Sequence, residues 1–369
     1  MSARILLIDR DEAVLDALTR ELAELGLDVT GTLHPERAAD AFAPAEFDLV
    51  AIGGGVDAAT RAEVRRAFPA GNPSLRVLDV HAPVAVRQIM AAVAGDDRGP
   101  GVDLAAYAVR IGHTGPLRPD LATLRALHAR HPDAIPFENL DVLLGRGVDL
   151  APAAVDAKLI GRRRGGYCFE QNGLFRRVLL AIGFEVTGLA ARVRWNAPAG
   201  TPPPARTHMV LRIGLDGEDW LADVGFGTCA LTAPLRMATD APQSTGHDSY
   251  RLVRFGEDLL MQVRRDGAWL PVYEIGPEPQ RDADYEAANW YTSTHPTSHF
   301  RHGIRVARTA ADCRYTLLDG RFGIRRPDGR TERTTLDADG IERALGDVFG
   351  LPVEPEWRPA IERAAAGPG

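Results

Sequence analysis

As far as Val93, short apolar runs alternate with amphipathic stretches. Ile5 to Ile8 reads as a strand. Asp11 can cap a helix whose apolar positions Val14, Leu18, Leu22 and Leu25 share one face, with Gly26 closing it. "LDVTG" predicts a second strand, Pro35 opens a short helix, and "FDLVAI" (Phe47 to Ile52) predicts a third strand. A helix over Ala58 to Phe68, a strand "LRVLDV" and a helix over Val84 to Val93 complete the run. Such alternation predicts a parallel, doubly wound α/β sheet.

The pattern changes after "GDDRGPG" (Gly95 to Gly101), whose polar, Gly- and Pro-rich character marks a linker. From Asp103 to about Phe184 helical periodicity dominates, as in Leu121, Leu124, Leu127 and His128. From Val186 to Tyr273 the chain reads as strands, "THMVLRIGL", "DWLADVGF" and "YRLVRF" among them, interrupted by the loop "NAPAGTPPPART". Beyond lie strands in "RYTLLDGRFGIRR", a closing helix over Ile341 to Phe349, and a tail "RAAAGPG" expected to fray.

Composition narrows the function classes. A chain of 369 residues suggests two or three domains. A net charge of −7 argues against nucleic acid or an anionic membrane as partner. The first apolar run is too short for a signal peptide, and none is long enough to span a bilayer. Three cysteines make no disulfide framework, so a reduced, cytoplasmic protein is expected. Lys158 is the only lysine beside many arginines, a bias of base composition rather than function.

Chemistry concentrates in "RRGGYCFEQN" (Arg163 to Asn172), where Cys168 follows two glycines and precedes a helical stripe of Phe169, Leu174, Val178 and Ile182. At neutral pH a thiol is mostly unionised, so a nucleophilic cysteine needs a partner that stabilises its anion. A histidine supplies that, and a carboxylate on the far ring nitrogen fixes its tautomer. His208 opens the run "HMVLRI" and Asp223 closes "WLAD", so neighbouring strands would bring them side by side. Order alone does not make a triad, because Cys, His and Asp can be drawn from most chains. Glu170 and Asn172 read as structural, Cys229 and Cys313 as packing residues. His295 and His299 lack a metal-ligand pattern, and no metal is expected.

In this order and spacing, "RRGGYCFEQN", "THMVL" and "DVGFG" resemble the Cys, His and Asp motifs of the arylamine N-acetyltransferases. "YAVRIG", "IPFENLD" and "NWYTSTHPTSHF" resemble other words of that family, over about Asp103 to Pro355. The resemblance implies a helical bundle with Cys168 (residues 103–185), a β-barrel with His208 and Asp223 (186–288), and an α/β lid with the tail (289–369). It implies ping-pong transfer of acetyl from acetyl-coenzyme A through Cys168 to an aromatic amine or hydrazine, with no tightly bound cofactor. Phe137 and Phe226 would line the acceptor pocket, and Thr207 and Gly227 would flank the coenzyme channel. Gly165 and Gly166 would let a pantetheine arm come close, and Arg162 to Arg164 could steer its phosphates.

Residues 1–95 resemble a response-regulator receiver, joined through 96–102, but Gly53 stands where the phosphate-accepting aspartate belongs and a βα unit is short. A pseudo-receiver or an unrelated small α/β module both fit. Two further functions stay open. An amide synthase moving a larger acyl group would use the same triad, with Ala197 to Pro204 reshaping the mouth. A regulatory protein would bind a protein partner through the N-terminal unit.

Overall fold

The structure, a computed structural model, describes residues 3–72, 75–80, 85–93, 102–198 and 200–367. It divides into two compact units, Met1–Gly101 and Val102–Gly369. In the first, strands β1 (Arg4–Ile8), β2 (Asp28–Thr32), β3 (Leu49–Ile52) and β4 (Arg76–Asp79) form a parallel sheet ordered β2-β1-β3-β4. The apolar runs of β1 and β3 are buried on both faces, and their period of two decides which helix each residue meets. Ile5 and Leu7 pack with α1 (Glu12–Glu24) and α4 (Ala85–Val93). Leu6 and Ile8 pack with α2 (Ala38–Ala41) and α3 (Ala58–Gly71). The sheet is thus covered on both sides. Asp11 caps α1 by accepting the Val14 N–H at 3.1 Å. Of the linker read at 96–102, only Val102 is a described residue. It is buried in the core of the second unit rather than part of a tether.

The second unit opens with helices α5 (Leu104–Arg110) and α6 (Leu121–Ala134), a two-residue strand β5 (Phe137–Glu138), and α7 (Leu140–Leu143) and α8 (Pro152–Asp156). Helix α9 (Cys168–Ile182) follows and ends at Gly183, whose φ of 106° makes the left-handed cap that glycine tolerates. Eight strands then form one sheet: β6 (Glu185–Val193), β7 (His208–Leu215), β8 (Glu218–Ala222), β9 (Leu235–Arg236), β10 (Gln243–Ser244), β11 (Ser249–Phe255), β12 (Asp258–Arg265) and β13 (Ala268–Pro279). Their order is β10-β11-β12-β13-β6-β7-β8-β9. The two ends nearly meet. Thr239 bridges to Leu252 of β11, and the Gln243 side chain exchanges hydrogen bonds with the Arg236 backbone. The result is a nearly closed barrel.

Alternation along β7 joins the two layers. Met209, Leu211 and Ile213 enter the core shared with Leu174, Phe175 and Val178 of α9, while Val210 enters the barrel interior with Leu221, Tyr250 and Val263. His208 keeps the barrel-facing parity, its ring lying 5.1 Å from that of Tyr273.

Three boundaries differ from the sequence reading. Helix α10 (Asp282–Thr294) runs across the expected division at 288/289, because Tyr285 is anchored in the helical core. The last sheet, β14 (Arg305–Thr309), β15 (Arg314–Leu318), β16 (Arg321–Arg325) and β17 (Thr331–Thr335), takes β5 as its fifth strand, so the helical segment contributes an edge to the expected lid. After α11 (Ala338–Arg343), the tail is not frayed through Ala366. It forms α12 (Arg358–Ala366), held by burial of Trp357, Ala360, Ile361 and Ala364.

Candidate functional site

Cys168 is the first residue of α9, where the helix leaves partial positive charge and unpaired N–H groups. Tyr167 precedes it in extended conformation, and the Glu170 carboxylate accepts the Tyr167 N–H at 3.0 Å. The two glycines before it stand in close quarters. A Cβ on Gly165 would lie 2.1 Å from the Pro136 carbonyl oxygen, and one on Gly166 would strike the Glu170 side chain. Gly165 thus admits the Pro136 backbone and Gly166 the Glu170 side chain, and Gly166 also shares a bridge with Phe137.

Arg164 faces carboxylates inside the protein. It is buried, and its guanidinium is bound by Glu138, Asp141 and Glu354 at 2.7 to 3.2 Å. Lys158 belongs to the same cluster, 2.7 Å from both Asp141 and Glu170. Burial disfavours its charge, but the surrounding carboxylates prevail and raise its pKa. Arg162 and Arg163 are exposed.

The folded chain brings Cys168, His208 and Asp223 together. His208 starts β7, Asp223 follows β8, and the antiparallel pairing of these strands puts both at one end of the barrel. His208 Nε2 lies 2.8 Å from Asp223 Oδ2, with both side chains buried. Cys168 lies near enough to the imidazole to add to the upward shift of its pKa. Burial opposes a charged ring, yet the Asp223 carboxylate overrides it and pushes His208 up to about 10. Burial likewise opposes ionisation of Asp223, but His208, Asn172 and the Gly225 N–H hold its pKa below the ordinary value.

Asn172 does more than tie a turn. Its Nδ2 donates to the Met209 carbonyl and to Asp223 Oδ1, and its Oδ1 accepts the Val224 N–H. One amide thus fixes β7 and the Asp223 loop to α9. Gly225 packs directly on that helix start, where a Cβ would stand 2.9 Å from Cys168 Cα and 2.8 Å from Asn172 Nδ2. Gly225→Ala is expected to lower stability by about 1–3 kcal/mol through overpacking, and to slow the chemistry of Cys168 by parting it from the Asp223 loop. Thermal unfolding and initial rates on the same samples check both effects.

The remaining candidates gather around this centre. Phe226 sets its ring edge-on to His208 at 5.1 Å, Phe137 stands 6.0 Å from Phe300, and both are half-buried. Gly227, at φ +75°, leaves the space that the Phe137 ring fills, since a Cβ would sit 3.1 Å from it. Thr207 offers its carbonyl to Cys168 Sγ at 3.7 Å. Cys229 and Cys313 are buried and free, and burial raises both thiols. Among the described residues no group of three or more His, Cys, Asp or Glu side chains is placed to hold a metal ion. No helix among them is long and apolar enough to cross a membrane.

Sequence reasoning missed His131, Gln171 and Tyr107, and used His128 only as a periodicity marker. Histidines at i and i+3 on an apolar helix face, in "LHARH", were the available signal.

Such an arrangement can activate a sulfur nucleophile toward an acyl group. A family model described as N-acetyltransferase matches residues 120–358. The arylamine N-acetyltransferase of Mycolicibacterium smegmatis is 46% identical over 68% of this chain and 92% of its own length. That of Escherichia coli K12 is 40% identical, over 67% and 88% respectively. The structure of Mycobacterium marinum arylamine N-acetyltransferase in complex with CoA superposes with a TM-score of 0.68 at 41% identity, covering 71% of this chain and 98% of that one. With its barrel, its helix-start cysteine and this likeness over most of the second unit, the chain belongs to the arylamine N-acetyltransferase family and is an acyltransferase.

Proposed function

We propose that Cys168 carries the acetyl group between acetyl-coenzyme A and an aromatic amine or hydrazine. The observation supporting this is the cysteine at the start of α9 beside an imidazole held by Asp223 at 2.8 Å. In the first half-reaction the Cys168 sulfur attacks the thioester carbonyl carbon, forming a new carbon–sulfur bond. The bond to the coenzyme sulfur breaks, and the leaving thiolate takes a proton from the His208 imidazolium. In the second, the amine attacks the acetyl-cysteine, gives a proton to His208, and the Cys168 sulfur leaves. Asp223 orients the ring and stabilises its charged form throughout. Phe226, beside His208, and Phe137 offer the aromatic faces that suit an arylamine. Acetyl-coenzyme A as donor is supported by the CoA complex of the Mycobacterium marinum relative.

Mass analysis of protein incubated with acetyl-coenzyme A, without amine, tests this reading. One acetyl group on the peptide holding Cys168, discharged by an added arylamine, is expected. Turnover with no adduct on Cys168, or an adduct too slow to account for turnover, would overturn it.

The N-terminal unit we read as a receiver-like module unable to take a phosphoryl group. Residue 53 offers no side chain, and a Cβ there would lie 1.7 Å from Asp9 Oδ2, so the Asp9 carboxylate already occupies that space.

A further inference from the structure

Helix α6 carries two fully buried histidines that the chemistry above does not use, His128 and His131. Their hydrogen bonds decide their tautomers. Gln171 Nε2 donates to the carbonyls of Ile135, Pro136 and Gly166, so its Oε1 must accept. His131 therefore donates Nε2–H to Gln171 at 2.7 Å, and its Nδ1 accepts from the Tyr107 hydroxyl at 2.8 Å. This relay steadies the turn before Cys168. His128 has the opposite tautomer. Its Nε2 lies 3.1 Å from the backbone nitrogen of Asp223, which can only donate, so Nε2 accepts and Nδ1 holds the proton. That Nδ1 is buried without a hydrogen-bond partner. A donor left unpaired in a protein interior is costly, which fits a ring whose other nitrogen has a task.

We propose that His128 is a positioning residue for Asp223, holding its backbone N–H in the neutral state and releasing it on protonation. The inference rests on the reading of Cys168, His208 and Asp223 given above. The carboxylate and the backbone N–H of Asp223 then have separate holders. Oδ1 receives Asn172 and the Gly225 N–H, the backbone N–H goes to His128, and Oδ2 is left to His208. A protonated His128 would set donor against donor at the Asp223 nitrogen. Its positive charge would also compete with His208 for the same carboxylate.

Few groups face the ring. Asp223 approaches from the loop after β8, His131 lies one turn along α6, and from α9 the neighbour is the uncharged Phe175 ring, edge-on at 5.8 Å. Burial pushes His128 down to about 4 although Asp223 pulls it upward. The ring is thus neutral at physiological pH and charges only in acid.

The test follows coenzyme A release in the first half-reaction, on the full chain, from neutral pH downward. His128→Phe removes the acceptor and is expected to slow the reaction about 10- to 100-fold with KM for acetyl-coenzyme A unchanged. His128→Gln offers an amide oxygen to the same N–H without a titrating ring. It is expected to recover most of that rate and to lack the acid limb expected of the wild-type protein toward pH 4. A folded His128→Phe protein with the wild-type rate would overturn the proposal, as would an unchanged acid limb in His128→Gln. Should His128→Phe fail to fold, the His128→Gln profile alone decides. Cys168→Ala, run alongside, separates the two readings. Activity in that variant removes the triad and this inference together, whereas its loss beside an unaffected His128→Phe removes only this inference.

Discussion

Cys168→Ala is expected to lower acetyl transfer by at least about 10⁴-fold while leaving the fold intact. The side chain sits at the first position of α9 and is only 4% exposed. Shortening it by one sulfur leaves the Glu170 bond to the Tyr167 N–H and the Asn172 contacts untouched. The Tyr273 hydroxyl, whose ring lies beside His208, is kept protonated by burial and is a poor substitute nucleophile. Cys229 and Cys313 are buried, with thiols that burial raises away from ionisation. Initial rates with acetyl-coenzyme A and an arylamine, beside circular dichroism and thermal unfolding, measure both halves of the expectation. A variant that still turns over within tenfold of wild type (about 1.4 kcal/mol of barrier) would mean another residue accepts the acetyl group.

The second large effect is on stability. Lys158→Met is expected to cost on the order of 3–5 kcal/mol, because it strands buried carboxylates without their shared cation. Lys158 Nζ bonds Asp141 and Glu170 at 2.7 Å and stands 4.0 Å from Glu138, and Glu138 is fully buried. Arg164 remains to answer Glu138, Asp141 and Glu354, but Glu170 would lose the one cation paired with it among the described residues and could no longer be held ionised beside the Tyr167 N–H. The pair is worth far less than this against a well-packed apolar replacement of every member; the cost comes from removing one partner. At about 2–4 °C per kcal/mol for a unit of this size, the transition should fall by about 6–20 °C. Thermal scans of the two proteins at equal concentration check it. A shift below about 2 °C would show that Glu170 finds another way to shed its charge.

These two residues also show what a linear reading can and cannot supply. Cys168 stood out because its neighbours are unusual in kind and order, and "THMVL" and "DVGFG" marked where an imidazole and a carboxylate could lie near it. Lys158 stood out only as a compositional oddity. Its ion pairs join Asp141, Glu138 and Glu170, which are near in sequence yet carry no periodicity that says they converge. Arg164 misled for the same reason: a run of three arginines reads as a solvated face or phosphate site, and only packing shows one of the three turned inward onto Glu138. His128 lies 95 positions from the Asp223 nitrogen it accepts, a separation no local pattern spans.

Local rules settled where strands and helices begin, because capping, β-branching and apolar spacing act within a few residues: Asp11 before α1, the helix from Cys168, the alternation of β7. Which glycine must yield to which backbone, which cation is buried, and that β5 and α12 complete the last layer were decided by tertiary packing alone. Those outcomes depend on surfaces contributed by distant segments, and burial of charge or removal of a side chain gains its energetic meaning only once those surfaces meet.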